Sequence, residues 1–429
     1  VKLLLKTCVC DLYYLLFFLF TSPAWIAMML ARRSWRSGFL QRLGFIRLPP
    51  ADRPRLWIHG VSVGEVLAAR SLIRALFEDP RFEIVLSTTT RTGFAVARKT
   101  FPDVPVFHFP LDLSFCVRRT FRRVRPALVI LVELEIWPNL LLHARRRGLP
   151  LTFVNGRITK RSAESYAVLS WILAPLLGAT ELFCVQNDVY ASRLVHLGAR
   201  GESVRITGNL KIDNLPADPD PARAASLRET LGIRRDETAL VGGSIHPGED
   251  EILVKAFLAL SARFERLRLV LAPRHPEKFD RAREVARKHG LACRRRTEGP
   301  APAGESPVLL LDTMGELQDV YAAGDLIFVG GSLIPHGGQN MMEPAALGKP
   351  VLFGPHIHNF REDAAFLIEK GGALKVEGPE ALEAALSDLL SDPEKGAAMG
   401  RAGARAVGEK RGATDRTLDA LETVYLDNL

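Results

Sequence analysis

Two groups of residues have the types and spacing for chemistry. Trp57-Ile-His-Gly-Val-Ser-Val-Gly-Glu65 runs from an apolar, strand-like stretch through a tight turn into a helix start. Glu65 then falls at the carboxyl edge of a sheet, facing a cleft between domains, where a general base is useful. The plain alternative is an acid that complements the helix dipole. Glu133-Leu-Glu-Ile-Trp-Pro-Asn139 follows the run Ala127–Val132, which is apolar throughout. Carboxylates at a buried strand end are costly unless paired, so either Glu133 or Glu135 is expected to have a role. Lys211, in Gly208-Asn-Leu-Lys211, follows the last strand of this half and either sets a cation over the cleft or is a surface lysine.

The second half repeats one turn, Val241-Gly-Gly-Ser244 and Val329-Gly-Gly-Ser332. Glycine lets backbone approach a phosphate, and a helix start offers unpaired N–H groups. The second copy runs on as His336-Gly-Gly-Gln-Asn-Met-Met-Glu-Pro344, and the spacing places Asn340 and Glu343 on one face of an opening helical turn. Phosphate at the amides and a ribose diol at Glu343 fit that pattern; a glycine turn with a capping acid is the alternative. Pro273-Arg274-His275-Pro276 and Asp312-Thr-Met-Gly-Glu-Leu317 also follow strands directly, so three loops converge on one rim and favour a nucleotide. The absence of G-x-x-x-x-G-K-[ST] argues against a P-loop enzyme, and of G-x-G-x-x-G after the first strand against a dehydrogenase. Asp218-Pro-Asp220 matches the D-x-D of metal-dependent sugar transfer, but it lies among prolines with no strand before it and reads as spacer.

Short apolar runs alternating with amphipathic stretches must position these residues. Seven strand-like runs precede Asn214 and six follow Pro221, the alternation of parallel sheets covered on both faces. Three prolines between Asn214 and Pro221 mark a linker. The expected organisation is an anchor at 1–31, a Rossmann-like domain at 32–215, a linker at 216–221 and a second Rossmann-like domain at 222–429 that includes the C-terminal helices. With 429 residues the chain exceeds one compact core, and five cysteines without a Cys-x-x-Cys pair suggest neither a disulfide framework nor a zinc ribbon.

The net charge of +9 conceals an asymmetry. Residues 1–215 hold 30 Lys/Arg against 15 Asp/Glu, whereas the remainder holds 27 against 33. A polybasic half attracts nucleic acid, an anionic membrane or a phosphorylated substrate. Leu12–Ala31 contains no charged side chain, and 20 helical residues span roughly 30 Å, the hydrocarbon thickness. Seven arginines between Arg32 and Arg55 then place the following domains in the cytoplasm. Thr21-Ser22-Pro23 leaves open a kinked, monotopic insertion. In Cys116–Arg125 four arginines face away from Val117, Phe121 and Val124, a solvated helix face or a site for lipid phosphates; no aromatic interleaving accompanies it, so nucleic acid is not expected.

Val61-Ser-Val-Gly-Glu65, Glu133–Asn139, Val154-Asn-Gly-Arg-Ile-Thr159, Thr207–Lys211, Ala272–Glu277, Asp312–Leu317, Gly330–Ser332 and Gly337–Phe360 together resemble, in order and spacing, the 3-deoxy-D-manno-octulosonic acid (Kdo) transferases of lipopolysaccharide synthesis. The resemblance covers nearly the whole chain; Gly156 stands where that family would have alanine. It implies an α/β GT-B fold, two Rossmann-like domains facing a central cleft, with an N-terminal membrane helix at the inner membrane. The implied reaction is an inverting, metal-independent transfer of Kdo from CMP-Kdo to a lipid A precursor, with no cofactor and with inner membrane lipids as neighbours. On this resemblance Glu65 is the base, and Glu133 or Glu135 assists with Lys211. Pro273, Arg274, Met314, Gly315, Glu316, Leu317, Asn340, Met341, Met342 and Glu343 hold CMP. Competing readings are an envelope transferase using a UDP-sugar and a membrane-tethered, non-catalytic binding protein.

Overall fold

The computed structural model describes residues 5–16, 38–216, 221–299 and 306–429. They form two units, one of residues 1–214 with 411–429 and one of 215–410.

The first unit holds a parallel sheet of β1 (Arg55–His59), β2 (Glu83–Thr88), β3 (Val106–His108), β4 (Leu128–Val132), β5 (Leu151–Gly156), β6 (Phe183–Val185) and β7 (Val204–Ile206), ordered β3-β2-β1-β4-β5-β6-β7. All five residues of β1 and of β4 are buried, as expected where helices cover both faces. Their side chains still alternate. Trp57, Val129 and Leu131 enter the core on one face, and Leu56, Ile58, Leu128 and Ile130 the core on the other. The chain lays β2 and β3 to one side of β1, then returns to place β4 on its other side. The switch point lies between β1 and β4, where ligands of such sheets bind.

The second unit repeats the plan with β8 (Thr238–Ile245), β9 (Leu267–Pro273), β10 (Cys293–Arg295), β11 (Val308–Leu310), β12 (Leu326–Val329), β13 (Val351–Phe353) and β14 (Ala373–Lys375), ordered β10-β11-β9-β8-β12-β13-β14. Its switch point lies between β8 and β12.

Several expectations need correction. Strand β10 is missing from the sequence reading because an edge strand of Cys-Arg-Arg buries only Cys293 and has no apolar run. Pro221 is not linker but opens the helix Pro221–Thr230. The helix after Gly337-Gly338 begins at Met342, so Asn340 precedes it instead of sharing its first turn. Arg411–Leu429 belongs with the first unit, not the second. There Leu421, Tyr425 and Leu426 are buried with Ile58 and Leu72, and Asp213 accepts the Gly412 and Thr414 N–H groups at 2.9 and 2.5 Å. Among the described residues no helix is long and apolar enough to cross a membrane. Of the expected span Leu12–Ala31, residues 17–31 lie outside the described residues, as do Asp218-Pro-Asp220. The described helix 5–16 buries Cys10 in the first unit's core, and its Asp11 accepts the Ser114 N–H and the Asn139 amide at 2.8 and 3.0 Å.

Candidate active site

Glu65 lies in the helix Val63–Ala68, five residues after β1 turns at Gly60, and the residue is 8% exposed. The Val61 N–H donates to Oε2 at 2.7 Å and the Ser62 hydroxyl to Oε1 at 3.0 Å. The spacing Ser62-x-x-Glu65 suggests a capping box, yet the Ser62 side chain caps no N–H; its hydroxyl serves the carboxylate instead. Burial pushes the Glu65 carboxyl up to about 7, and the charges of Glu133 and Glu135 push the same way against its two hydrogen bonds. A carboxylate that titrates near neutrality at a strand end is suited to taking a proton from a hydroxyl.

Glu133 follows β4 on the other side of the switch point and is held at φ +60°, a left-handed conformation uncommon for this residue type. Lys211 Nζ lies 3.2 Å from its Oε1. Lys211 gets there because Asn155, at the end of β5 with φ +56°, accepts the Leu210 N–H at 3.0 Å, and Asn209 caps the short helix Leu210–Asp213 through the Lys211 N–H. Burial, and after it the charge of Glu133, raises the Glu135 carboxyl. Glu133 and Glu135 line a cavity of ≈ 280 Å³ with Arg157, Thr159, Ser162 and Tyr166. The structure thus brings Glu65, Glu133, Glu135 and Lys211 into one electrostatic neighbourhood within the first unit. Asp112 escaped the sequence reading. It caps the helix Pro138–Arg146 by accepting the Asn139 and Leu140 N–H groups, both at 2.9 Å, and so fixes the far end of the Glu133–Asn139 loop. His59 of the Glu65 motif is a core residue, stacked on Phe109 at 3.8 Å and pushed down to about 3 by burial.

In the second unit the two Gly-Gly-Ser copies differ from the expected phosphate-binding turns. The first is not a turn: β8 runs through Gly242, Gly243 and Ser244, with Ser244 at φ +52°. A Cβ on Gly243 would sit 2.2 Å from the Tyr321 hydroxyl, and one on Gly330 2.5 Å from Ile245 Cα, so the glycines serve close packing of β8, β12 and a neighbouring helix. The amides of the second copy are already satisfied. Glu249, fully buried, accepts Gly331 and His246 N–H groups at Oε2 (2.7 and 3.0 Å) and Ser332 and Leu333 N–H groups at Oε1 (2.9 and 3.0 Å). Sequence reading missed Glu249, and its only signal is the acidic first turn Glu249-Asp250-Glu251.

Asn340 donates to Glu343 Oε1 at 3.0 Å and accepts the Met342 N–H at 3.1 Å. Burial raises the Glu343 carboxyl, opposed by Asn340 and by the Arg274 charge. Pro273 ends β9, Arg274 is exposed, and the Arg274 N–H donates to the Ile245 carbonyl at 3.0 Å. Met314 is 62% exposed and Gly315 takes φ +93°; Glu316 accepts the Thr313 hydroxyl and the Arg296 guanidinium, and Leu317 opens a helix. Met341 and Met342 are buried, so their side chains back the loop and only their backbone can meet a ligand. His246, which the sequence reading did not single out, packs against His336 with ring centroids 3.8 Å apart and tilted by 35°, and is pushed down to about 4 by burial and then by the neighbouring His336, His275 and Arg274. Among the described residues no His/Cys/Asp/Glu group has metal-binding geometry.

Residues 37–214 match the family described as 3-Deoxy-D-manno-octulosonic-acid transferase (kdotransferase). A 3-deoxy-D-manno-octulosonic acid transferase of Haemophilus influenzae is 38% identical over 92% of this chain and 92% of its own length. The chain belongs to the 3-deoxy-D-manno-octulosonic acid transferase family. Its Bordetella pertussis member is 36% identical over 88% of this chain and 89% of that one. Among solved structures, a UDP-N-acetylglucosamine 2-epimerase superposes with a TM-score of 0.59 at 16% identity, covering 87% of this chain and 96% of the other. The UDP-GlcNAc 2-epimerase of Neisseria meningitidis gives 0.58 at 12%, covering 86% and 100%. Those likenesses establish a shared GT-B-like α/β fold with two parallel sheets.

Proposed function

We infer that this Kdo transferase family member moves Kdo from CMP-Kdo to a hydroxyl of a lipid A precursor. The acceptor oxygen attacks the anomeric carbon, the bond from that carbon to the phosphate oxygen breaks, CMP leaves with the electron pair, and the hydroxyl proton passes to Glu65. Attack opposite the leaving group inverts the centre. Lys211, held by Glu133, offsets the acidic pair beside Glu65, and in the second unit Arg274 supplies positive charge where negative charge develops on the phosphate, a role that metals fill in other transferases. Asn340 and Glu343, with the Arg274 and Met314–Leu317 loops, hold the nucleotide, Glu343 accepting from its ribose. The uncharged run Leu12–Ala31 and the arginines after it support attachment at the cytoplasmic face of the inner membrane.

One observation carries this reading: a buried carboxyl, Glu65, poised near neutrality beside an acidic pair at the switch point of the first sheet. The test is incubation with CMP-Kdo and a tetra-acylated, bisphosphorylated acceptor, read by mass spectrometry. Glu65→Gln should abolish the mass gain while CMP still protects the chain from thermal unfolding. Near-normal turnover of that variant would remove Glu65 from the role.

A further inference from the structure

We propose that the cavity beside Glu133 and Glu135 is the seat of the acceptor's phosphorylated sugar, with Arg157 binding the phosphate. The proposal rests on the transferase reading above and extends it to a subsite. Arg157 follows β5 directly, is exposed, lines the cavity, and has no hydrogen-bond or ion-pair partner among the described residues. The Thr159 and Ser162 hydroxyls lie 2.9 Å apart on the same wall and Tyr166 closes it one helical turn further on. Of the lining carboxylates, Glu133 is engaged by Lys211, while burial and Glu133 raise the Glu135 carboxyl. The cavity therefore offers carboxyl oxygens and hydroxyls for sugar hydroxyls together with an uncompensated guanidinium. A guanidinium's planar fork matches phosphate oxygens. At ≈ 280 Å³ the space is near the small end of the ~300–1,000 Å³ typical of ligand sites, enough for one sugar ring and its phosphate.

A second observation identifies the rest of the ligand. The helix Lys160–Ala167, whose first turn forms the cavity wall, ends in an apolar surface where Val168, Leu169 and Trp171 are 77%, 44% and 55% exposed. A soluble sugar phosphate leaves those side chains unexplained, whereas a glycolipid places acyl chains there. Lys6 of the N-terminal helix reaches the Trp171 carbonyl at 2.7 Å, which brings the helix leading into the uncharged run to this same surface.

The test uses the full chain. In transfer assays, Arg157→Ala should raise KM for the bisphosphorylated acceptor at least tenfold and erase the preference over a dephosphorylated acceptor, with KM for CMP-Kdo unmoved. Arg157→Lys should restore part of that preference. A fall in kcat alone, or an unchanged acceptor KM, overturns the proposal. Independently of transfer, glucosamine 1-phosphate and glucosamine are titrated into the wild type and Arg157→Ala by ligand-observed NMR. Tighter binding of the phosphate by the wild type only supports the subsite; equal binding of both sugars by the wild type overturns it. If the wild type transfers no Kdo, the functional reading falls, and this second arm still decides whether the cavity binds sugar phosphate.

Discussion

Burial holds the Glu65 carboxyl near neutrality, and the Val61 N–H and Ser62 hydroxyl pull it back toward the usual range. As a base it works only when ionised, so log kcat/KM should climb with pH to a plateau above about 7. Ser62→Ala removes a bond to the ionised form and should move that limb to higher pH. Lys211→Met strips the compensation from Glu133, raises the negative field at Glu65 and should move it the same way; a limb that stays put in both variants would mean that another group titrates. The same shift has a thermodynamic side. A carboxyl raised on folding supports the folded state fully below its unfolded pKa, and that support is lost as pH rises through about 7. Glu65→Gln, fixed in the neutral form, should therefore unfold at a higher temperature than wild type at pH 8, by ~2–4 °C per kcal/mol regained. At pH 4 the two should coincide.

Elements in this protein are tied by side chains that periodicity does not reveal. Glu249 links the helix after β8 to the loop after β12 through three backbone donors of that loop, and also accepts the nearby His246 N–H. Leaving several buried N–H groups unpaired costs about 1–3 kcal/mol each. Glu249→Ala should destabilise the second unit by several kcal/mol in denaturant titrations and weaken CMP binding, although Glu249 is not proposed to touch the nucleotide. Gly243→Ala, with its Cβ driven onto Tyr321, should cost about 1–3 kcal/mol through overpacking. The contrast shows what was legible. Buried strands such as β4 and β12 are unbroken apolar runs, and β1 contains one at Leu56–Ile58, so their positions and the residues following them could be read directly. Glu65 and Glu133 were singled out on that basis, whereas Lys211 follows the half-exposed β7. Asp112, Glu249 and His246 were not singled out, since Asn139, the loop Gly331–Leu333 and the Gln339 amide, which they respectively meet, lie 27, 82–84 and 93 residues away and are met only through the fold. The Gly-Gly-Ser repeats misled for the same reason: a glycine required by a crowding neighbour has the same sequence signature as one required by a phosphate.

At the scale of the molecule, the chain leaves the first unit after Asn214 and returns to it at Arg411. Truncation after Lys410 should expose the face that Leu421, Tyr425 and Leu426 cover, and burial of such side chains contributes ~1.5–3 kcal/mol each. Such a chain should show early proteolysis within residues 38–214, with cuts in the second unit appearing later; uniform resistance would refute the idea. The excess of 30 basic over 15 acidic residues in the first 215 predicts that binding to anionic vesicles weakens as salt rises from low to physiological concentration and beyond. The return of the chain also has a consequence for biosynthesis. When the ribosome has delivered residue 214, the first sheet is complete but one of its faces lacks the helix Ala413–Val424. At roughly 5–20 residues per second, the 196 residues of the second unit take on the order of 10–40 s to emerge. During that interval the second unit can close on itself, while the first waits with an open apolar face. Residues 411–429, made only after the second unit, decide when the first unit stops being a client for chaperones.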